Sequence, residues 1–162
     1  MSWDQRPEVK LGNLGEKIIK KYLEQNQYNI YSCDRDAKHW FDGIATKNKQ
    51  EIFFYDVKTK PKMRKYPAQG INITHYNDYK RLLNKTDIPF YLFFVDNLNG
   101  DVHSVALNKL IKLKENNELE WEDKIVYAWN LKHLEFLFTL TNEQINSLKI
   151  NENRNQHQIK FA

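Results

Sequence analysis

Residues Glu51 to Lys58 read EIFFYDVK and predict a β-strand. It is apolar on both faces until its end, which is typical of a central strand that is covered on both sides of a sheet. Because side chains alternate along a strand, Asp56 and Lys58 share one face and Val57 points to the other. Two charges on one face of a buried strand are costly without a partner. The end of this strand is therefore the first candidate for a functional site.

The strand before this one supplies a second carboxylate. Residues Trp40 to Thr46 form the preceding strand candidate, and the polar stretch KNKQ at 47–50 predicts a hairpin turn between the two. A loop of three or five residues places Asp42 opposite Asp56 on the same face. A loop of two or four residues separates the two carboxylates, unless a bulge intervenes.

A first helix is predicted from about Asn13 to Gln25, because apolar residues recur there at helical spacing. Gly12 and Gly15 lie toward the apolar face, where a missing side chain would let the helix approach a sheet closely. At about 100° per residue, Glu16 falls at the border of this face. It is the one acid of the helix that is placed at the packing edge.

The rest of the chain predicts an α/β domain. The pattern favours a mixed central sheet that is flanked by helices in the order α-β-β-β-α-β, with a C-terminal strand and helix extension. Residues 1–150 form one domain in this interpretation, and 151–162 form a polar, flexible tail. The further element candidates are strands Tyr28–Ser32, Phe90–Val95, Asp101–Ala106 and Ile125–Trp129, helices Thr74–Leu83 and Asn108–Lys114, and a last helix that Thr141 caps together with Gln144.

Composition excludes several classes of protein. A chain of 162 residues with 41% hydrophobic and 14% aromatic residues can bury a core, so the chain as a whole is not disordered. A single cysteine, Cys33, excludes an internal disulfide and a cysteine-rich zinc site. No apolar run approaches the roughly 18 residues of a membrane span, and the N-terminus lacks the apolar stretch of a signal peptide. We therefore expect a cytoplasmic protein without a membrane partner.

The charge is unevenly distributed. The net charge is only +4, yet residues 58–65 contain five cations and no acid. Such a basic patch is typical of proteins that bind a polyanion such as nucleic acid. A solvated loop without a ligand is the alternative interpretation. Four of these cations are candidate nucleic-acid contacts: Lys60, Lys62, Arg64 and Lys65.

The acids and the lysine at the end of the central strand suit metal-dependent chemistry. Carboxylates from Asp42, Asp56 and Glu16 are the oxygen ligands that Mg²⁺ or Mn²⁺ prefers. Lys58 could orient or deprotonate an attacking water and offset negative charge that develops on a phosphate. An acid-x-Lys pattern occurs five times in the chain, so the pattern alone does not mark a site. Asp56-Val57-Lys58 is singled out because it lies at the end of an apolar strand. A plain intrastrand ion pair between Asp56 and Lys58 is the alternative.

Three short motifs together resemble a known superfamily. They are LGNLGE at 11–16, WFDGI at 40–44 and YDVKTK at 55–60. In this order they resemble the PD-(D/E)XK, or restriction-endonuclease-like, nucleases over about residues 11–95. The proline of the family name is replaced by Phe41.

The resemblance implies a restriction-endonuclease-like core and metal-dependent phosphodiester hydrolysis. By position, Asp42 and Asp56 would bind the metal, Lys58 would serve the nucleophilic water, and Glu16 would be the helix carboxylate. The expected protein is a Mg²⁺- or Mn²⁺-dependent deoxyribonuclease, with an endonuclease as the favoured form and RNA as the second choice of substrate. A homodimer or a partner protein is expected for cutting both strands.

Three alternatives stay open at this stage. The chain could be a nucleic-acid-binding module of the same fold without turnover, or a nuclease subunit that needs a partner. It could also be an interaction protein whose acids and lysines are surface ion pairs. That last alternative predicts no steep salt dependence of DNA affinity.

Overall fold

A computed structural model describes residues 2, 5–33, 39–119, 121–122 and 126–149. None of the helices in these ranges is both long enough and apolar enough to cross a membrane. The predicted tail at 151–162 lies outside the described residues. The elements are α1 (Pro7–Gln25), β1 (Asn29–Ser32), β2 (Gly43–Lys47), β3 (Glu51–Thr59), β4 (Ala68–Asn72), α2 (Ile73–Thr86), β5 (Phe90–Val95), β6 (Asp101–Ala106), α3 (Leu107–Glu115), β7 (Trp121–Glu122), β8 (Val126–Asn130), a 3-10 turn (Leu131–His133), β9 (Glu135–Thr139) and α4 (142–149).

The central sheet has six strands in the order β1-β2-β3-β5-β6-β9. β3 pairs with β5 in parallel and with β2 antiparallel, and the other neighbours in this sheet are antiparallel. The parallel pairing requires a crossover, which β4 and α2 supply. The predicted mixed sheet with flanking helices is confirmed.

Alternation along β3 separates two packed cores. Phe54 faces a cluster that α2 and α3 cover, and this cluster includes Phe90, Leu92 and Phe94 from β5. Tyr55 and Val57 face the second cluster, which contains residues of α1 and α4. Asp56 and Lys58 alternate with Val57, so they lie on the side of α2.

A second sheet was absent from the sequence prediction. β4, β8 and β7 form three antiparallel strands in the order β4-β8-β7. The segment AQGIN of β4 has one β-branched residue, Ile71, and no aromatic residue, so it carries little of the pattern that marks a strand. It is buried because it pairs with β8, where Gln69 lies opposite Trp129. Strand formation here depends on a partner that lies about 60 residues further along the chain.

The C-terminal region adds more structure than predicted. β9 extends the central sheet beyond β6, and its side chains stay exposed or half-buried. The capping box at the start of α4 is confirmed: Thr141 N donates to Gln144 Oε1 at 2.9 Å, and Gln144 N donates to Thr141 Oγ1 at 3.2 Å. α1 begins earlier than predicted, at Pro7, a residue that fits the first turn of a helix because it has no N–H to leave unpaired.

The basic loop, residues 60–67 between β3 and β4, is anchored to the end of β5. Asp96 is only 4% exposed. Its Oδ2 accepts a hydrogen bond from Lys62 N at 3.0 Å, and its Oδ1 accepts from Leu98 N at 2.9 Å and Asn99 N at 3.1 Å. One buried carboxylate therefore orders the β5–β6 turn and holds the basic loop beside it.

α1 packs closely on β3 at one glycine. A Cβ atom on Gly15 would lie 1.8 Å from Thr59 Oγ1, so the helix can approach the strand only without a side chain there. Gly12 is different, since a Cβ atom at Gly12 would have no neighbour within 4 Å. The prediction of close packing is right for Gly15 and wrong for Gly12.

Replacing Gly15 by Ala should lower the free energy of unfolding by about 1–3 kcal/mol, the usual cost of overpacking a tight contact. Gly12→Ala, in the same helix, should leave stability unchanged or raise it by up to about 1 kcal/mol, because Ala is the better helix former. Urea denaturation of both variants checks this. Equal stability of the two variants would show that α1 does not contact β3 at Gly15.

Candidate active site

The hairpin between β2 and β3 brings two carboxylates together. Lys47 pairs with Glu51, so the turn has three residues, and Asn48 (φ 53°) and Lys49 (φ 56°) adopt left-handed conformations in it. This register makes Gly43 the partner of Tyr55 and brings the preceding Asp42 level with Asp56.

Asp42 is held directly against the backbone of β3. Its backbone N donates to Tyr55 O at 2.9 Å, and its Oδ2 accepts from Val57 N at 2.7 Å. The carboxylate therefore takes the place of a main-chain acceptor where regular β2–β3 pairing ends. Only 9% of the Asp42 side chain is exposed. Its other oxygen, Oδ1, lies 3.5 Å from His39 Nε2.

Asp56 is buried at the centre of a three-residue network. Tyr79 OH in α2 donates to Asp56 Oδ2 at 2.7 Å, and Lys58 Nζ lies 2.5 Å from the same oxygen. Lys58 Nζ also lies 5.5 Å from the centre of the Tyr79 ring. Burial, the negative charge of Asp56 and this hydrogen bond all raise the pKa of Tyr79, so its hydroxyl remains a donor at ordinary pH. Both contacts use Oδ2, which leaves Oδ1 as the oxygen available to a cation.

Negative charge accumulates at this point. Burial, together with the charges of Asp56 and Glu16, raises the pKa of Asp42 to about 8. The Val57 N–H and the Lys58 charge oppose this effect without cancelling it. Burial and the same carboxylates also raise the pKa of Cys33, whose backbone N donates to Asp42 O. With a pKa of about 8, Asp42 is mostly protonated at neutral pH, so these acids do not all carry a charge at once.

Glu16 reaches the cluster from the other side of the sheet. It lies half-buried on α1, next to Gly15, and α1 covers the face of β3 that is opposite to Asp56. Its charge nevertheless acts on Asp42, which lies just before the start of β2. In the described ranges, no three His, Cys, Asp or Glu side chains are close enough to hold a metal ion on their own.

The donor set nevertheless fits a hard divalent cation. It offers carboxylate oxygens from Asp42 and Asp56, and a third carboxylate, Glu16, close enough to affect the charge of Asp42. Mg²⁺ binds through one or two carboxylates and keeps several waters, so it does not need three protein ligands. A cation would also relieve the repulsion among these acids.

The four candidate phosphate-binding cations divide into two groups. Lys60 turns inward: its Nζ donates to Gly70 O in β4, and burial together with the charge of Lys58 lowers its pKa to about 8. Lys62, Arg64 and Lys65 are exposed on the loop that Asp96 anchors.

Two residues of this region were not predicted as part of the site. Tyr79 is buried in the core, and its hydroxyl also binds Asp56. Gln69 is 2% exposed, and its Nε2 donates to Lys60 O at 3.4 Å. Spacing along the chain carries no signal for the Tyr79 contact, because the two residues belong to different elements that meet only in the folded protein.

Comparison with known proteins supports the fold. No protein-family model and no curated protein sequence matches the chain. Among solved structures, the chain is similar to D212, a nuclease from a fusselovirus, with 9% identity and a TM-score of 0.56 over 93% of this chain and 96% of that one. It also matches Hjc, a Holliday junction resolvase from Archaeoglobus fulgidus, with 10% identity and a TM-score of 0.49 over 75% of this chain and 90% of that one. The likeness to D212 is one of fold, and it confirms the restriction-endonuclease-like fold that the motifs suggest.

Asp42→Asn should stabilise the metal-free protein at high pH. Because the folded-state pKa of Asp42, about 8, exceeds the ordinary value of about 4, wild-type stability falls as pH rises between these values. The variant lacks this loss, so we expect its free energy of unfolding to exceed that of the wild type by about 1 kcal/mol or more at pH 8. The advantage should shrink as the pH falls toward 4. Urea denaturation in EDTA at pH 5 and pH 8 measures it.

Asp87→Asn is the matched control, because Asp87 is exposed at the end of α2 and lies in a left-handed conformation that Asn tolerates. Its effect should be the same at both pH values. A pH-independent effect of Asp42→Asn would contradict the prediction.

Proposed function

We propose that the protein is a divalent-metal-dependent nuclease that hydrolyses DNA phosphodiester bonds, with an endonuclease as the favoured form. The observation that carries this proposal is the meeting of Asp42, Asp56 and Lys58 at the end of β3. The fold that the chain shares with D212, a protein described as a nuclease, supports it. Fold alone does not determine function, so the proposal rests on the site.

Asp42 and Asp56 would hold Mg²⁺ or Mn²⁺, with Glu16 as the third carboxylate. A divalent ion supplies positive charge that lowers the pKa of water and offsets the charge of the scissile phosphate. Tyr79 OH and Val57 N–H fix one oxygen of Asp56 and one of Asp42, respectively. Both carboxylates are thereby oriented before a ligand arrives, which reduces the reorganisation that binding requires.

Lys58 is the residue of this group that can act on water. Its ammonium nitrogen lies 2.5 Å from Asp56 Oδ2, next to the position proposed for the metal. From there it can orient an attacking water and offset negative charge on the phosphate in the transition state. Tyr79 still holds Asp56 when Lys58 leaves it for the substrate.

The basic loop would bind the DNA backbone beside the site. Lys62, Arg64 and Lys65 are exposed there, and the anchor at Asp96 limits the movement of the loop. Lys60 would contribute from its inward position.

RNA is the second choice of substrate. Because one chain offers one set of metal ligands, cutting both strands would use a homodimer or a partner protein. A binding module of the same fold without turnover is the alternative.

DNA cleavage should depend on the metal and on the charged residues at the end of β3. We expect wild-type protein to cut linear, supercoiled, single-stranded or branched DNA in Mg²⁺ or Mn²⁺ and not in EDTA. Lys58→Ala and Asp56→Ala should each lower the rate by at least about 100-fold, the usual contribution of a group that acts on the reacting atoms. A gel assay with that panel of substrates measures this.

Lys85→Ala, an exposed lysine in the last turn of α2, should cut like the wild type. Salt-sensitive DNA binding without cutting in any metal would instead favour the binding module or a subunit that needs a partner. Cutting in EDTA would exclude the proposed mechanism.

DNA affinity should depend on the exposed cations of the basic loop. Each phosphate contact that is lost lowers the slope of log affinity against log salt by about 0.9 for duplex DNA. The triple replacement of Lys62, Arg64 and Lys65 by Ala should therefore lower this slope by up to about 3. Fluorescence anisotropy with a labelled duplex, measured at several salt concentrations in EDTA, gives the slope.

A control triple on α1, with Lys17, Lys20 and Lys21 replaced by Ala, makes the same change in net charge away from the loop. Its slope should stay close to that of the wild type. If both triples change the slope equally, only the net charge matters and the loop is not the binding surface.

A further inference from the structure

His75 lies at the rim of the candidate active site. It is in the first turn of α2, one helical turn before Tyr79, and the centres of the two rings are 6.2 Å apart. Tyr79 is 3% exposed, whereas His75 is exposed. The imidazole therefore covers the outer side of the buried aromatic ring that holds Asp56, and it faces solvent beyond it.

The chain before His75 forms another side of the same site. β4 carries Gly70, whose carbonyl accepts from Lys60 Nζ, and β4 leads directly into α2. Asn72 caps the helix by accepting from Thr74 N at 2.8 Å, which fixes the first turn. His75 thus follows the strand that accepts the Lys60 contact and precedes Tyr79 by one turn of the same helix.

The charged groups that act on His75 are those of the site. Burial and the charges of Lys58 and Lys60 lower the pKa of His75, and the charges of Asp56 and Asp78 partly oppose this. The ring is therefore neutral at neutral pH, with one nitrogen as donor and the other as acceptor. A neutral ring can stay beside two lysines without strong repulsion and still donate a hydrogen bond.

On the basis of the proposed nuclease function, we propose that His75 is a further substrate-contacting residue, which donates a hydrogen bond to a phosphate oxygen of the DNA strand next to the scissile bond. Lys58 Nζ lies 5.5 Å from the centre of the Tyr79 ring, next to which the exposed His75 ring also lies, so a phosphate that meets Lys58 would come close to His75. The contact would hold the DNA strand so that it passes over Lys58.

Two variants separate the hydrogen bond from the packing. His75→Phe keeps a ring against Tyr79 and removes the donor, whereas His75→Gln keeps a donor and removes the ring. We expect the Kd for a labelled 20-bp duplex, measured in Ca²⁺ at pH 7.5, to rise about tenfold in His75→Phe, which corresponds to about 1.4 kcal/mol. In His75→Gln it should rise by no more than about threefold.

The pH dependence provides a readout that packing does not affect. A phosphate contact favours the protonated ring, so wild-type affinity should gain more than that of His75→Gln as pH falls from 7 to 5.5. Lys60 and Asp42 also titrate near this range, but they do so in both proteins, so the difference between the two curves belongs to His75.

His103→Gln is the matched control. Burial lowers the pKa of His103 as it does that of His75, and the His103 ring lies 5.6 Å from that of Phe136 in β9. It belongs to β6, two strands away from β3 in the central sheet. The Kd of this variant and its pH dependence should match those of the wild type.

The outcomes are distinct. If His75→Phe binds DNA like the wild type, the ring only packs on Tyr79 and the inference is wrong. If His75→Phe weakens binding but wild-type protein cuts no DNA in Mg²⁺, the contact stands and the proposed nuclease function fails. If the wild type cuts and no His75 variant changes Kd, the function stands and this inference fails. Circular dichroism of each variant establishes that it is folded.

Discussion

The buried carboxylate of Asp56 is the constraint on which the site depends. It lies on a strand that is covered on both faces, where an unpaired charge would cost several kcal/mol. Tyr79 and Lys58 satisfy one of its oxygens, and this joins α2 to β3. The position of α2, which carries His75 at the rim of the site, therefore depends on the hydrogen bond between Tyr79 and Asp56.

The second consequence is that Asp42, close to two other acids, keeps its proton up to a pH of about 8. Asp42 replaces a main-chain acceptor at the end of β2, so its carboxylate stays close to Asp56 even though the two acids repel each other. Such an arrangement weakens the free protein, since burial makes the charged form of Asp42 unfavourable. In the proposed nuclease, this loss of stability would accompany a site that is ready for a cation and a phosphate. The exposed cations of the basic loop lie on the neighbouring segment, where they would meet the phosphates.

The sequence predicted the central sheet better than it predicted the periphery. The apolar run of β3, the hairpin before it and the capping box of α4 are local patterns, and all three are confirmed. β4 and the second sheet escaped prediction because the segment AQGIN has little strand propensity and becomes a strand only by pairing with β8. Gly12 and Gly15 show the same limit, since only the position of Thr59 decides which of them needs to lack a side chain.

By itself, the sequence determined the alternation that puts Asp56 and Lys58 on one face, and it limited the hairpin to a few possible registers. These follow from the period of a strand and the length of a loop, which are local properties. The tertiary structure selected the three-residue turn that brings Asp42 to Asp56. It also decided that Lys60 turns inward to Gly70 and that Tyr79 binds Asp56. The direction of a long side chain depends on which partner and how much solvent it meets, and that is settled only when segments distant in the chain pack together.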